Sequence, residues 1–267
     1  ISTTEDVVYV NIQYRLGIFG IAGTDELAKS ENYVTSPLIY DHQSALIWIQ
    51  KYIHHFGGDA TKVTFAGFSA GAINTALVLS SPILCPLFHR AILYGFWNTR
   101  PRVLNSITLQ EQNNILKTTL NVQNVTHYLL TAPAHELWVL TSALADSIGD
   151  TRPAPDEILV LHNHLIYSNP CDLPVIIDGS ISELELWETL FGQPHYTDIV
   201  AGGIRSSWNN SHGNTVEKQV FSEYLPKIGE TEHEANLRLA NDVASVSNIN
   251  GALGIQAVTK NSPVYAV

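Results

Sequence analysis

Residues 63–82, VTFAGFSAGAINTALVLSSP, decide the fold. Residues 63–68 are rich in β-branched and aromatic side chains and read as a strand. A helical stretch follows at once through Ala72, Ala76 and Leu77 and stops at Pro82, which cannot continue a helix. At the junction, Gly67-Phe68-Ser69-Ala70-Gly71 fits the G-x-S-x-G pattern of a nucleophile elbow. So sharp a turn forces the serine backbone into a strained conformation and lifts its hydroxyl out of the sheet. Gly67 and Gly71 are expected to flank it because side chains two residues to either side would collide. The amide of Ala70, at the helix N-terminus, is expected to donate to a developing oxyanion. The residues alone leave a second reading open, a tight strand-to-helix turn of the kind found in any α/β protein.

Upstream, residues 7–14 (VVYVNIQY) begin as a continuous apolar run and read as a buried strand, after which Gly17, Gly20 and Gly23 punctuate a loop. Residues 41–56 form the clearest helix: Ala45, Trp48, Ile49, Tyr52, Ile53 and Phe56 recur at i, i+3, i+4, i+7 spacing and define one face. Asp41 is expected to cap its first turn and Gly57 to end it in the left-handed conformation. Downstream, residues 91–96 (AILYGF), 173–177 (LPVII) and 263–267 (PVYAV) read as strands. Helical patterns occupy residues 107–120, 135–148, 216–224 and 232–246. Strands alternating with helices predict a mostly parallel sheet covered by helices on both faces.

The composition narrows the function classes. With 45% hydrophobic and 15% charged residues in 267, the chain is not a disordered or collagenous segment. Fourteen basic against twenty-five acidic side chains give a net charge of −11, which repels a phosphate backbone and excludes nucleic acid as a partner. The apolar runs are too short and interrupted for a membrane span. Two cysteines make neither a disulfide framework nor a zinc site, and His162 and His164 have no evident third ligand, so no metal and no cofactor are expected. Asn124-Val125-Thr126 and Asn209-Asn210-Ser211 are glycosylation sequons, informative only in a secreted protein. The chain begins at Ile1 and contains no methionine, so residues 1–267 read as one incomplete α/β domain, truncated at both ends.

Several runs around the elbow resemble the type B carboxylesterases, the cholinesterase-like branch of the α/β-hydrolases, with the fungal members most similar. Tyr14-Arg15-Leu16-Gly17 matches the family's N-Y-R-L-G with Gln13 for asparagine, and Asp41, Ala45, Leu46 and Trp48 match D-Q-x-x-A-L-x-W with His42 for glutamine. Phe56-Gly57-Gly58-Asp59 followed by Val63-Thr64 matches F-G-G-D-P-x-x-V-T with Ala60 for proline. Ser81-Pro82, then Leu87-Phe88-His89-Arg90-Ala91-Ile92-Leu93, matches the run after the elbow. The matches extend from about Val7 to Gly95 and thin to isolated anchors beyond.

The resemblance implies an α/β-hydrolase fold and a serine hydrolase that cleaves small carboxylic esters through an acyl-enzyme. It implies Ser69 as nucleophile, followed in chain order by an acid and a histidine. Residues 174–177 resemble the strand before the family's acid, and counting onward gives Glu183, preferred over Asp178; Leu184 stands where the family has glycine. The carboxylates of Glu183, Glu185 and Glu188 also fit the solvated face of a helix. His195, His212 and His233 follow Glu183, but none follows a strand as the family's base does. The base is expected just beyond Val267, and the glycine-rich oxyanion loop before the first strand, so the chain alone is expected to be inactive. Phe68 stands where the family commonly has glutamate and is expected to fill that space with an apolar ring.

The resemblance also pairs Arg15 with Asp41 as a buried ion pair. In the sheet it implies, the strands after Cys85 and Cys171 are parallel neighbours, which brings both cysteines to one edge. Loops can carry either away from the strand axis, so two buried thiols are the expected state and a bridge the alternative. The competing functions are a non-catalytic cholinesterase-like binding or adhesion module, from which the serine is typically lost, and a degenerate fragment.

Overall fold

Four short strands stand side by side, all parallel, in the order β1 (Thr64–Phe68), β2 (Arg90–Tyr94), β3 (Val175–Asp178) and β4 (Val264–Ala266). The computed structural model describes residues 6–29, 34–95, 109–139, 158–159, 168–179, 198, 201 and 222–266. Around the sheet lie α1 (Ile18–Ile21), α2 (Asp25–Ala28), α3 (Pro37–Tyr52), α4 (Ala70–Ser80), α5 (Leu109–Leu120), α6 (Val125–Thr131) and α7 (Glu232–Val258). Register carries Phe68 onto Tyr94 and Tyr94 onto Asp178, and pairs Ile177 with Ala266. The carboxyl ends of all four strands therefore meet at one edge, the edge where open α/β sheets bind their ligands.

Alternation along the strands sends Phe65, Ala91, Leu93, Val175 and Ile177 into the core, where they meet Leu38, Ile39 and Leu46 of α3, Ala72, Ala76, Val78 and Leu79 of α4, and Ile255 of α7. Each large aliphatic side chain so buried contributes about 1.5–3 kcal/mol. Ala72 and Ala76 are fully buried, and their small size lets α4 lie close against β1 and β2. A second cluster joins Ile18 and Ala22 to Leu116, Val125 and Leu137. Buried Gln112 closes it by accepting from Gly23 N (2.8 Å) and donating to Ile21 O (3.0 Å). The other sheet face leaves Phe68, Tyr94, Ile176 and Tyr265 exposed.

The amino ends of the strands are tied. A disulfide joins Cys85 to Cys171 with Cα atoms 5.9 Å apart, so the expectation of two thiols is corrected. Parallel pairing of β2 with β3 puts the preceding loops at bridging distance. Asp172 next to it accepts the amides of Lys260 (2.7 Å) and Asn261 (3.1 Å), and Asn169 donates to Thr259 Oγ1 (3.0 Å). Both neighbours of β3 are thus fastened at the edge away from Ser69.

Other expectations shift. Residues 7–14 join no ladder: Val7, Val8 and Tyr9 are exposed, and only Ile12 and Tyr14 pack against the core. A β-branched run becomes a strand only against a partner's amides and carbonyls, and no described strand flanks it. The helix expected from Asp41 begins at Pro37, whose missing N–H suits the first helical position. Asp41 is consequently inside the helix and does not cap it. The buried face of α3 carries Leu38, Ile39, His42, Leu46 and Ile49, while Trp48 stacks outside on Tyr52 (5.9 Å) and Phe56 (5.6 Å). Gly57 does end the segment at φ 81. Helix α7 runs to Val258, well past the expected residue 246, behind a capping box formed by Thr231 and Glu234. Residues 135–139 are helical as expected, and of residues 216–224 only the 3₁₀ turn Ser222–Tyr224 is described.

Candidate active site

Strand β1 hands over to helix α4 within one residue. Ser69 still belongs to the sheet through its amide, which donates to Tyr94 O at 2.9 Å. Its carbonyl already belongs to the helix, accepting from the amides of Ala72 (2.9 Å) and Ile73 (3.1 Å). Reconciling the two leaves Ser69 at φ 55, ψ −116, a conformation that costs a non-glycine residue on the order of 1–3 kcal/mol. The side chain is half-buried, and its hydroxyl neither caps α4 nor bonds to another described residue. Ala70 is exposed, and no described residue accepts its amide.

The glycines flanking the serine are not equivalent. A Cβ on Gly67 would lie 2.0 Å from Gly71 O, 2.2 Å from Gly71 C and 2.7 Å from Thr75 Oγ1. Apart from its chain neighbours and the nearby backbone of its own helix, a Cβ on Gly71 would meet no described atom within 4 Å. The collision expected on both sides therefore concerns Gly67 alone: it is the backbone of Gly71, not a missing side chain there, that fills the space. Thr75 Oγ1 donates to Gly71 O at 2.9 Å and holds that carbonyl in position. Phe68 does not plug an interior space as expected; as the last residue of a strand at the edge of the described sheet, on its open face, it is 65% exposed beside Tyr94.

Two strand spacings along the carboxyl edge lies Asp178, half-buried, whose carbonyl accepts the amide of Gly95 at 2.8 Å. Glu183, His162, His164, His195, His212 and the Asn209 sequon lie outside the described residues. His233 is described. It sits at the start of α7, 3.4 Å from Asp198 Oδ2. Among the described residues Ile255 is the one that helix contributes to the main core, and at 1.5 Å per residue His233 is about 33 Å from it along the axis. Among the described residues no cluster of three or more His, Cys, Asp or Glu side chains suits a metal ion, and no helix is long and apolar enough to cross a membrane.

Ahead of α1, Arg15 grips Asp41 of α3 with its guanidinium and its own amide: Nη2 donates to Oδ1 (2.8 Å), Nε to Oδ2 (2.9 Å) and N to Oδ2 (2.9 Å). The pair is not buried as expected; the arginine side chain is 51% exposed and the aspartate 22%. Burial pushes the Asp41 carboxyl up, the side-chain and backbone hydrogen bonds from Arg15 push it down by more, and it settles below its ordinary 3.8. The clamp fixes the segment before α1 against α3. His42, one residue on, escaped attention as a mere replacement for glutamine. It is 3% exposed between Tyr14 (4.7 Å) and Phe65 (5.8 Å), and its Nδ1–H donates to Leu38 O at 2.6 Å. Burial lowers its pKa below the ordinary 6.5, so it sits neutral in the core behind β1. Its place at i+4 from Leu38 and i−4 from Leu46 was the signal that could have found it.

The model of the Carboxylesterase family matches residues 1–266. Carboxylesterase 5A of Mus musculus is 44% identical over 89 residues, 33% of this chain and 15% of that protein. Acetylcholinesterase-1 of Trittame loki is 34% identical over 133 residues, 50% of this chain and 23% of that protein. The chain thus spans less than a quarter of the length of either relative in these matches. The likeness to fungal members is not among the findings. Among solved structures, a carboxylesterase of Geobacillus stearothermophilus superposes with a TM-score of 0.75 at 24% identity, covering 99% of this chain and 56% of that one. That likeness is one of fold, the α/β-hydrolase fold with its parallel sheet flanked by helices.

Proposed function

Since the chain belongs to the carboxylesterase family, we propose that it carries the nucleophile of a serine hydrolase that cleaves small carboxylic esters. The observation behind this reading is Ser69 itself, held at φ 55, ψ −116 between strand and helix with its hydroxyl uncommitted among the described residues. Strain kept at one residue of an otherwise regular junction is characteristic of a working site.

In the proposed reaction Ser69 Oγ attacks the ester carbonyl while an imidazole base takes its proton. The carbonyl oxygen gains negative charge and accepts from the Ala70 amide at the N-terminus of α4. Collapse of the tetrahedral intermediate expels the alcohol, to which the base returns the proton, and leaves an acyl group on Ser69. Water, activated by the same base, then releases the acid. Glu183 is proposed as the carboxylate that orients the imidazole, and the base as a histidine following β4. Support comes from the ladder: β4 ends at the same sheet edge as β1, so chain leaving Ala266 emerges on the side of Ser69. The exposed rings of Phe68 and Tyr94 border that edge and favour an ester with an apolar group.

The test is hydrolysis of a chromogenic short-chain ester by the full-length protein and its Ser69→Ala variant. Loss of the triad nucleophile costs on the order of 10⁶ in kcat. Unchanged turnover by the alanine variant would reject the proposal.

A further inference from the structure

We propose that Asn124 carries an N-linked oligosaccharide. Asn124-Val125-Thr126 is an acceptor sequon, and three features of the structure bear on whether it can be used. First, Asn124 is exposed at the start of α6. Second, its side chain is divided in function. Oδ1 turns inward to accept the His127 amide at 2.8 Å, whereas Nδ2, the atom that bears a glycan, has no partner among the described residues. A sugar on Nδ2 leaves the helix cap intact. Third, the turn that carries it is anchored: Val125 is buried at 3% exposure, and Thr126 Oγ1 lies 2.7 Å from Thr24 Oγ1. The attachment point is thereby fixed with the glycan directed into solvent.

An independent observation supplies the compartment. The Cys85–Cys171 disulfide forms and persists in an oxidising environment, and in a eukaryotic cell the lumen that provides it is also where sequons are glycosylated. A sequon in a chain confined to the reducing cytosol is never used; a sequon in a disulfide-bonded chain is exposed to the transferase. In the transfer, Asn124 Nδ2 forms a bond to the anomeric carbon of a lipid-pyrophosphate-linked oligosaccharide. The bond from that carbon to the pyrophosphate oxygen breaks, the lipid pyrophosphate leaves with the electron pair, and Nδ2 gives up one proton. Nothing is oxidised or reduced.

The experiment expresses the complete gene in a eukaryotic cell, purifies the protein and removes N-glycans enzymatically in isotopically labelled water. Each former glycan site then reads as a labelled aspartate in the peptide map. Asn124 is expected to carry the label. The Asn124→Asp variant keeps an oxygen for the His127 amide and so tests the glycan without the cap. It is expected to migrate faster than the wild-type protein by one glycan-sized step, and the two are expected to co-migrate after deglycosylation. An unlabelled Asn124 overturns the proposal, whether the disulfide is formed or both thiols are free. So does a mobility that Asn124→Asp leaves unchanged.

Discussion

Replacing each glycine of the elbow by alanine, one at a time, separates the geometry of this turn from the symmetry of its motif. At Gly67 the added methyl would stand 2.0 Å from Gly71 O, where ordinary contact begins near 3.4 Å. About 1.4 Å must be found, and the obstacle is backbone, so strand end and helix start must part. Ser69 sits between them, with its amide on Tyr94 and its carbonyl receiving the first helical amides. Overpacking of this kind costs roughly 1–3 kcal/mol of stability. Misplacing a reacting group by about 1 Å costs on the order of 10² in rate. At Gly71 nothing beyond its chain neighbours and the nearby backbone of its own helix lies within 4 Å of the new methyl, and alanine favours a helix by up to about 1 kcal/mol over glycine. In the full-length protein, kcat for a chromogenic ester and the thermal midpoint should fall together for Gly67→Ala and stay near wild type for Gly71→Ala. Equal losses at the two positions would refute the reasoning.

Three further outcomes follow from the scaffold. The disulfide spans 86 residues, so Cys85→Ala with Cys171→Ala should cost about 4–5 kcal/mol in the chain-entropy model; denaturant unfolding showing less than about 1 kcal/mol would contradict it. Arg15→Ala should cost about 1 kcal/mol or less near neutral pH, because the half-exposed pair is screened, and not the 3–5 kcal/mol of a buried one. Since Asp41 is held below its ordinary value, its contribution is present above about pH 3.9 and is lost as pH falls through the depressed folded value; urea midpoints across that window should flatten in the variant. Burial lowers the pKa of His42, so the unfolded chain takes the proton first and stability falls as pH drops below 6.5; His42→Gln should remove that decline, and an unchanged slope would exclude His42 as its source.

The elbow was legible because two kinds of segment meet there. A β-branched and aromatic run in residues 63–68 gives way at Ser69 to a helical stretch, and small residues sit where strand and helix must touch. Strands β2 and β3 were visible as short apolar runs for the same reason: both are central in the sheet. Residues 7–14 show the limit of that logic, since composition offers a strand and only a neighbour makes one. For α3, counting apolar residues drew Trp48 and Phe56 inward, although they stack on each other outside, and overlooked Ser36-Pro37 as the start. The bridge was illegible because it depends on a Cα separation across strands. The acid and the base were inferred by position in a family pattern, and a pattern places a side chain along the chain but not in space.

The central claim is that Ser69 is the nucleophile. Its most direct measurement is labelling of the full-length protein with a fluorophosphonate, followed by mapping of the modified peptide. The account predicts a single adduct on Ser69 that is absent from Ser69→Ala. Labelling that persists in that variant, or an adduct mapped to another residue, would contradict it.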